Sequence, residues 1–455
     1  MPTTPGSDRH HRNHVFHLKR LWIRALSLSG SPLTAHHVIK AREELLLRWV
    51  GFSLAIGTVT GLGVAAFDYL LRAKVVRALY GLGNAWFYLV LPALGLVAAY
   101  ASVRWLVPSR EGSLTEDYVM VFHDRRKHMR LGNLPGKMLA SFLTLASGGS
   151  MGLEGPSIYM GATMGDWLQT KFKKLFRRED LKLLLVAGGA AGMAAIFKAP
   201  LTGLVFAMEA PYKDSLAARA LIPALIASAS SYITFVIIAG SEPIFAQQGG
   251  PHKFSVMDII FAVMLGVCCG VGARLFVWFT RFAEKLLHGI SPLGRAILGG
   301  LIVGILGATV FYVFHEPFIY GPGYMLLKHV LNSHEPFWML AFLFGAKMAA
   351  TSFTVAGGGV GGLFFPQAVL GAVMGAGFAH LIPGADGALY PLIGLAAFVG
   401  AGYRTPLAAI SFVAETTGNP WALIPAMMAS VVSFLIMGQK GISDKQIDLS
   451  TGSFH

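Results

Sequence analysis

The sequence predicts an all-α polytopic membrane protein, assembled from two related halves whose helices are broken and partly re-entrant. Three observations carry this prediction. The 455 residues are 54% hydrophobic and only 13% charged, against roughly 25% charged in soluble domains. Apolar runs of about 20 residues or more recur along the chain, the length needed to cross about 30 Å of hydrocarbon. Gly- and Pro-interrupted apolar segments also recur in the same order roughly half a chain apart. A soluble fold of this composition would expose large apolar patches to water, which excludes a soluble enzyme, a disordered chain and a nucleic-acid-binding domain.

Lys+Arg 37 against Asp+Glu 23 gives a net charge of +14. In a membrane protein this excess belongs to cytoplasmic loops, not to a nucleic-acid partner. Residues 1–40 read as a basic cytoplasmic tail (Arg9, His10, His11, Arg12, His14, His17, Lys19, Arg20, Arg24), with a second short tail at 450–455. No sustained apolar core precedes a cleavage site there, so no secretory signal is read. A solvated tail is preferred over a histidine metal site, and no metal or cofactor is expected. Cys268 and Cys269 are adjacent in an apolar run, a poor geometry for an ordinary disulfide.

The membrane domain is placed at 41–449, with a first repeat over about 41–240 and a second over about 250–440. Uninterrupted spans are predicted at 45–72, 85–107, 217–239, 256–286, 292–314, 336–355 and 420–438. Breaks are predicted at 148–156, 198–200, 357–366 and 402–406. An unwound backbone at membrane depth is tolerated only inside protein or along an aqueous cavity, and half-helices meeting at such breaks mark transporters. Basic clusters at Arg125, Arg126, Lys127, Arg130, Lys137 and at Lys171, Lys173, Lys174, Arg177, Arg178, Lys182 flank the first break. If both are cytoplasmic, the chain enters the membrane, turns at 152–156 and returns.

The breaks repeat. Residues 148–162 (GGSMGLEGPSIYMGA) match 358–372 (GGVGGLFFPQAVLGA) at an offset of 210, and Lys198-Ala-Pro-Leu through Glu209 matches Arg404-Thr-Pro-Leu through Glu415 at 206. Duplicated halves with broken helices place a substrate between the repeats, near the midplane. Pro156 and Pro366 fit first helical turns, where proline loses no hydrogen bond. The preceding glycines let backbone approach a ligand. Two helix starts facing one point bind an anion through free N–H groups without a buried cation. Glu154 stands at one start while its repeat partner is Phe364, so the framework itself does not require a carboxylate there. An ionisable group at this depth is a functional candidate. It can occupy the anion site and leave when protonated.

G-L-E-G-P resembles the G-[KR]-E-G-P motif of the CLC family of chloride channels and chloride/proton exchangers. G-G-L-F-F-P resembles its G-x-F-x-P motif, Gly112-Ser113 stands where it has G-S-G-I-P, and Lys137 matches a basic position. The resemblance covers about 40–445. It implies a CLC-type fold of two inverted repeats, a homodimer with one pore per subunit, chloride as the usual ion and no enzymatic activity. Ser113, Gly155, Leu363, Phe364 and Ser443 would then line the anion site, with Glu154 as the gating, proton-binding glutamate. The setting would be the lipid bilayer of a bacterial inner membrane, with the N-terminus cytoplasmic. No C-terminal CBS domains are expected.

Four departures bear on coupling. Leu153 replaces the basic residue before the glutamate, G-S-L-T-E replaces G-S-G-I-P, Ala210 stands where exchangers carry a second carboxylate, and Ser443 stands in place of the pore tyrosine. Glu209 is the remaining possible proton relay. Chloride transport with weak or absent proton coupling is therefore expected, with strict chloride/proton exchange and fluoride transport as alternatives. Lys198 and Arg404 are read as capping helix carbonyls or reaching an interface. An intramembrane hydrolase is disfavoured, since no nucleophile–base pair stands at the breaks.

Overall fold

The computed structural model describes residues 32–76, 85–109, 112–176, 180–242, 244–245, 256–332, 335–382, 389–418 and 420–448. The basic, histidine-bearing segment Arg9–Arg24 and the 450–455 tail lie outside the described residues. The chain forms two units, residues 1–51 and 52–455; the features below belong to the second.

The described residues form sixteen helices in two runs of eight. The first run is α1 (Pro32–Asp68), α2 (Ala85–Leu106), α3 (Thr115–His123), α4 (Leu134–Ala146), α5 (Glu154–Lys171), α6 (Leu183–Phe197), α7 (Pro200–Glu209) and α8 (Leu221–Ala239). The second is α9 (Val256–Leu287), α10 (Pro292–Phe314), α11 (Tyr324–Asn332), α12 (Phe337–Ala356), α13 (Phe364–Ala379), α14 (Leu389–Gly402), α15 (Pro406–Thr417) and α16 (Leu423–Met437). All four predicted breaks contain a junction between two helices, each running into the first turn of the second. Six apolar helices are long enough to span a membrane, over Arg48–Arg72, Tyr88–Leu106, Ala218–Ala239, Val256–Leu287, Pro292–Phe314 and Phe337–Ala356. The seventh expected span, 420–438, is corrected. A 3-10 turn at Pro420–Ala422 precedes α16, leaving 15 helical residues, about 22 Å at 1.5 Å per residue.

The short helices form the centre. Every residue of α6 and α14 is buried, as expected of helices that are apolar all round. Each crosses the re-entrant helix before it at a point where only glycine fits. A Cβ on Gly188 would lie 1.9 Å from the carbonyl oxygen of Gly161, and one on Gly394 would lie 2.2 Å from that of Gly371. Gly188→Ala should therefore force the α5–α6 crossing apart and destabilise the protein by about 1–3 kcal/mol. Gly345→Ala, with nothing within 4 Å of the added methyl, is the control. Thermal melting in detergent checks this; equal melting points for the two variants would count against the crossing as a packing constraint.

The repeats are inverted, and their hydrogen bonds record it. Gly152 and Gly362, equivalent by the offset of 210, form an antiparallel bridge, with N···O distances of 2.7 and 2.8 Å. Outside this bridge, the N–H of Ser150 donates to Thr354 Oγ1 at 3.0 Å, and that of Val360 donates to Thr144 Oγ1 at 3.1 Å. Ser150 and Val360 are equivalent at the offset of 210, and so are the threonines that bind them, each from the opposite half. Antiparallel pairing of equivalent residues requires a two-fold relation between the halves.

Two lysines 210 residues apart sit inside the halves. Lys137 is fully buried, so it is not a loop charge as the sequence reading had it. Its Nζ donates to the carbonyl of Ser113 at 2.7 Å and pairs with Asp117. Lys347 is equally buried and donates to the carbonyls of Ile319 and Gly321, at 3.1 and 2.9 Å. Each ammonium ties down the loop preceding a short helix, α3 or α11. Lys182 is likewise buried, paired with Asp166 at 3.0 Å.

Candidate anion site at the helix breaks

The starts of α5 and α13 meet back to back. Glu154 is buried, and its Oε1 accepts the N–H of Phe364 at 2.7 Å and of Phe365 at 3.2 Å. The carboxylate thus lies on the first turn of the opposite repeat's helix, where the free N–H groups and the helix dipole favour negative charge. Room for it depends on two glycines. A Cβ on Gly362 would come within 2.1 Å of Oε1, and one on Gly152 within 1.9 Å of Oε2. Oε2 is buried without a hydrogen-bond partner. Gly155 packs against this junction, a Cβ there lying 2.7 Å from Gly362 N.

The ring of Phe364 forms the apolar floor, with Phe197, Phe206, Phe412 and Tyr403 at centroid distances of 5.7, 5.4, 5.3 and 6.0 Å. On Phe365 rests Tyr324, 4.2 Å away, itself covered by the Arg72 guanidinium at 4.3 Å from the ring centre. Arg72 pairs with Asp68 and donates to Tyr324 Oη at 3.4 Å. The guanidinium stacked on this face is thus one half of an ion pair, its charge balanced by Asp68.

A cavity of about 1000 Å³ leads to the start of α13. Ser113, Leu363 and Ser443 line it together, as do Thr115, Glu116 and Tyr403. With Glu116, its walls carry three acidic groups (Glu284 and Asp444 the others) against Arg104, Arg281, Arg295 and Lys445, a mixed charge in which Arg281 is paired with Asp444 at 2.6 Å. The hydroxyl of Ser113 donates to Asp117 Oδ1 at 2.6 Å. Ser443 Oγ accepts only a long bond, 3.4 Å, from Lys445 N. The N–H of Leu363 donates to Tyr403 Oη at 3.2 Å.

The sequence profile of the voltage gated chloride channel family matches residues 94–438. This chain belongs to that family. It is 27% identical over 402 residues to the voltage-gated ClC-type chloride channel ClcB of Salmonella typhi, covering 83% of this chain and 94% of that one. It is 26% identical over 416 residues to the H(+)/Cl(-) exchange transporter ClcA of Klebsiella pneumoniae, covering 87% and 86%. Among solved structures, a slow cyanobacterial Cl-/H+ antiporter superposes with a TM-score of 0.77 at 21% identity, covering 87% of this chain and 96% of that chain. A CLC-type fluoride/proton antiporter superposes with a TM-score of 0.74 at 22% identity, covering 89% and 98%. The chain is a multi-pass membrane protein of CLC fold.

Within this CLC fold, Glu209 stands apart from the anion site. Its carboxylate accepts the N–H groups of Leu407 and Ala408, at 3.2 and 3.0 Å, capping α15. Its equivalent Glu415 caps α7 through Leu201 N, Thr202 N and Thr202 Oγ1, at 2.9, 2.7 and 2.7 Å. Arg404 and Lys198 form another matched pair, both left-handed in φ. Arg404 donates to the carbonyls of Gly438 and Lys213, and Lys198 to that of Glu242 at 3.1 Å. Both tie down the carbonyl ends after α16 and α8, the structural role favoured from sequence.

Sequence reasoning missed Tyr403, Asp117 and the Arg72–Tyr324 stack. One signal for Tyr403 was available: it matches Phe197 at the offset of 206, so the second repeat adds a hydroxyl to a position that is otherwise plain aromatic. Asp117 and the stack left no such trace, because the partners that bury them, Lys137 and Tyr324, lie 20 and 252 residues away in sequence.

Proposed function

We propose that this protein carries chloride across a bacterial inner membrane through the start of α13, with Glu154 as the gate and with proton coupling weak or absent. The observation that supports this most is the Glu154 carboxylate on the N–H groups of Phe364 and Phe365. A site that holds the protein's own carboxylate is a site for an anion, and a permeating ion competes for the same two donors. Gly155 and Leu363 contribute backbone to the junction, while Ser113 and Ser443 line the approach. The absence of a cationic side chain bonded to Glu154 suits transit, since a full charge would hold the ion too firmly to release it.

The face carrying the basic clusters is assigned to the cytoplasm, together with the N-terminus. The assembly is proposed as a homodimer with one pore per subunit, in keeping with its family. The apolar residues Leu201, Leu225, Leu407 and Val431, exposed on the short helices and their neighbours, meet either lipid or the second copy.

Fluoride transport is the second reading, raised by the fluoride/proton antiporter that shares the fold. Reconstitution in liposomes separates the two: chloride efflux should exceed fluoride efflux under matched gradients. Fluoride efflux without chloride efflux would reverse the assignment, and efflux of neither would overturn the transport reading.

A further inference from the structure

We propose that the cytoplasmic end of α9 and the first turn of α10 form a phosphate-binding site beside the anion cavity, for a phospholipid headgroup or a soluble phosphate ester. A second cavity, of about 570 Å³, lies there. Lys285 and His288 reach it from the end of α9, Arg295 from the start of α10, Tyr100 from α2 and residues 355–358 from the end of α12. Among the described residues that line it, Glu284 is the one carboxylate. None of Lys285, His288 and Arg295 has a carboxylate partner among the described residues. Arg295 carries the argument. Its Nε is buried and has no hydrogen-bond partner among them. A guanidinium N–H shut away from water is costly to leave unpaired, and an anion in this cavity supplies the acceptor.

The donors select the class of anion. A guanidinium fork takes two oxygens of a phosphate at once, and a lysine beside it adds a point charge. The 23-residue α10 turns the positive end of its dipole to the same place. Donors arriving from three elements suit a tetrahedral group better than a planar carboxylate. The volume exceeds that of a halide and falls in the range of small organic ligands. Leu286 and Leu293, exposed on the two helices, set the cavity at the lipid edge, within reach of both sources of phosphate. This cavity shares Tyr100, Glu284, Arg295 and Gly358 with the larger one. Phosphate on Arg295 therefore cancels a positive charge in the wall of the anion cavity and slows chloride. That consequence rests on the chloride reading above; the site itself does not.

Calorimetric titration of the protein in maltoside micelles with inorganic phosphate, in chloride-free buffer of fixed ionic strength, tests the site. Arg295→Gln and Lys285→Gln should each weaken binding about tenfold or more, the effect of losing a hydrogen bond to a charge. Arg104→Gln, which alters the larger cavity and not this one, should bind like the parent. Lys285 is exposed, so its variant gives an independent reading if Arg295→Gln folds poorly. Phosphatidylglycerol added to the micelles separates the sources. Competition with phosphate supports a lipid headgroup as occupant, and undisturbed phosphate binding supports a soluble ester. In liposomes free of phosphatidylglycerol, inorganic phosphate on both faces should slow chloride efflux through the parent and not through Arg295→Gln. A parent that binds neither phosphate nor phosphatidylglycerol, or equal binding by the parent and both variants, would overturn the proposal. So would slowing that persists in Arg295→Gln, since phosphate would then be acting in the pore. A parent that passes no chloride yet binds phosphate through Arg295 would remove the chloride reading and leave this site standing.

Discussion

Vesicles carrying Glu154→Gln are expected to pass chloride at one rate from acid to neutral pH, while the parent's rate rises as pH falls. In the parent, the ionised carboxylate holds the N–H groups of Phe364 and Phe365 and keeps chloride from them. Protonation removes the charge that makes these bonds strong, so acid opens the site. Glutamine has the same shape and an oxygen that accepts the same two N–H groups, but no charge. Charged hydrogen bonds contribute about 1.5–3 kcal/mol and neutral ones about 0.5–1.5, so the amide is held less firmly by about 1–2 kcal/mol. The variant at neutral pH should therefore exceed the parent by roughly tenfold, since about 1.4 kcal/mol corresponds to one decade. The measurement is chloride efflux from liposomes at several pH values with the membrane potential shunted. A parent-like pH slope in the variant would assign the titration elsewhere, with Glu116 and Glu284 in the cavity wall as the next carboxylates to replace.

What the sequence disclosed and what it hid follow from the range of the interactions. The breaks, the duplicated halves and Glu154 were legible because glycine, proline and an isolated carboxylate act on their immediate neighbours. The inversion was not, since an offset of 210 says nothing about direction; it becomes physical only in the antiparallel bridge of Gly152 to Gly362. Ser113 was found at the cavity, but the use of its proton depends on Asp117 and Lys137, which are ordered by the same buried pair. Leu153 was read as a lost charge. A guanidinium does stand near Phe365, that of Arg72 on the Tyr324 ring of the other repeat, but it is paired with Asp68. Tyr403 meets the amide of Leu363, 40 residues away in sequence, only in the fold. In each case the residue type was readable and its partner was not.

An imposed chloride gradient should drive little or no proton movement against an opposing proton gradient. Strict exchange requires every proton released by Glu154 to reach the cytoplasmic face, about half of a 30 Å core away, in hops of about 3 Å between hydrogen-bonded groups. The position that would carry an intermediate acid is Ala210, and its carbonyl is occupied by Gln446 Nε2 at 3.0 Å. The adjacent Glu209 is committed to the first turn of α15, as Glu415 is to α7. The two carboxylates pin each repeat's half-helix to the other repeat. A relay must alternate between charged and neutral forms, and each protonation of Glu209 would forfeit the charge-assisted cap of α15, worth about 1.5–3 kcal/mol across its bonds. Glu209→Gln, which keeps neutral bonds to the same donors, should accordingly lower thermal stability by about 1–2 kcal/mol and leave the proton-to-chloride ratio unchanged. The decisive measurement is proton flux into chloride-loaded vesicles with the potential clamped to oppose passive leak. Sustained uphill proton movement in the parent would establish exchange. Its loss in folded Glu209→Gln would make that carboxylate the relay, and its loss in Glu116→Gln would route protons through the cavity beside Tyr403.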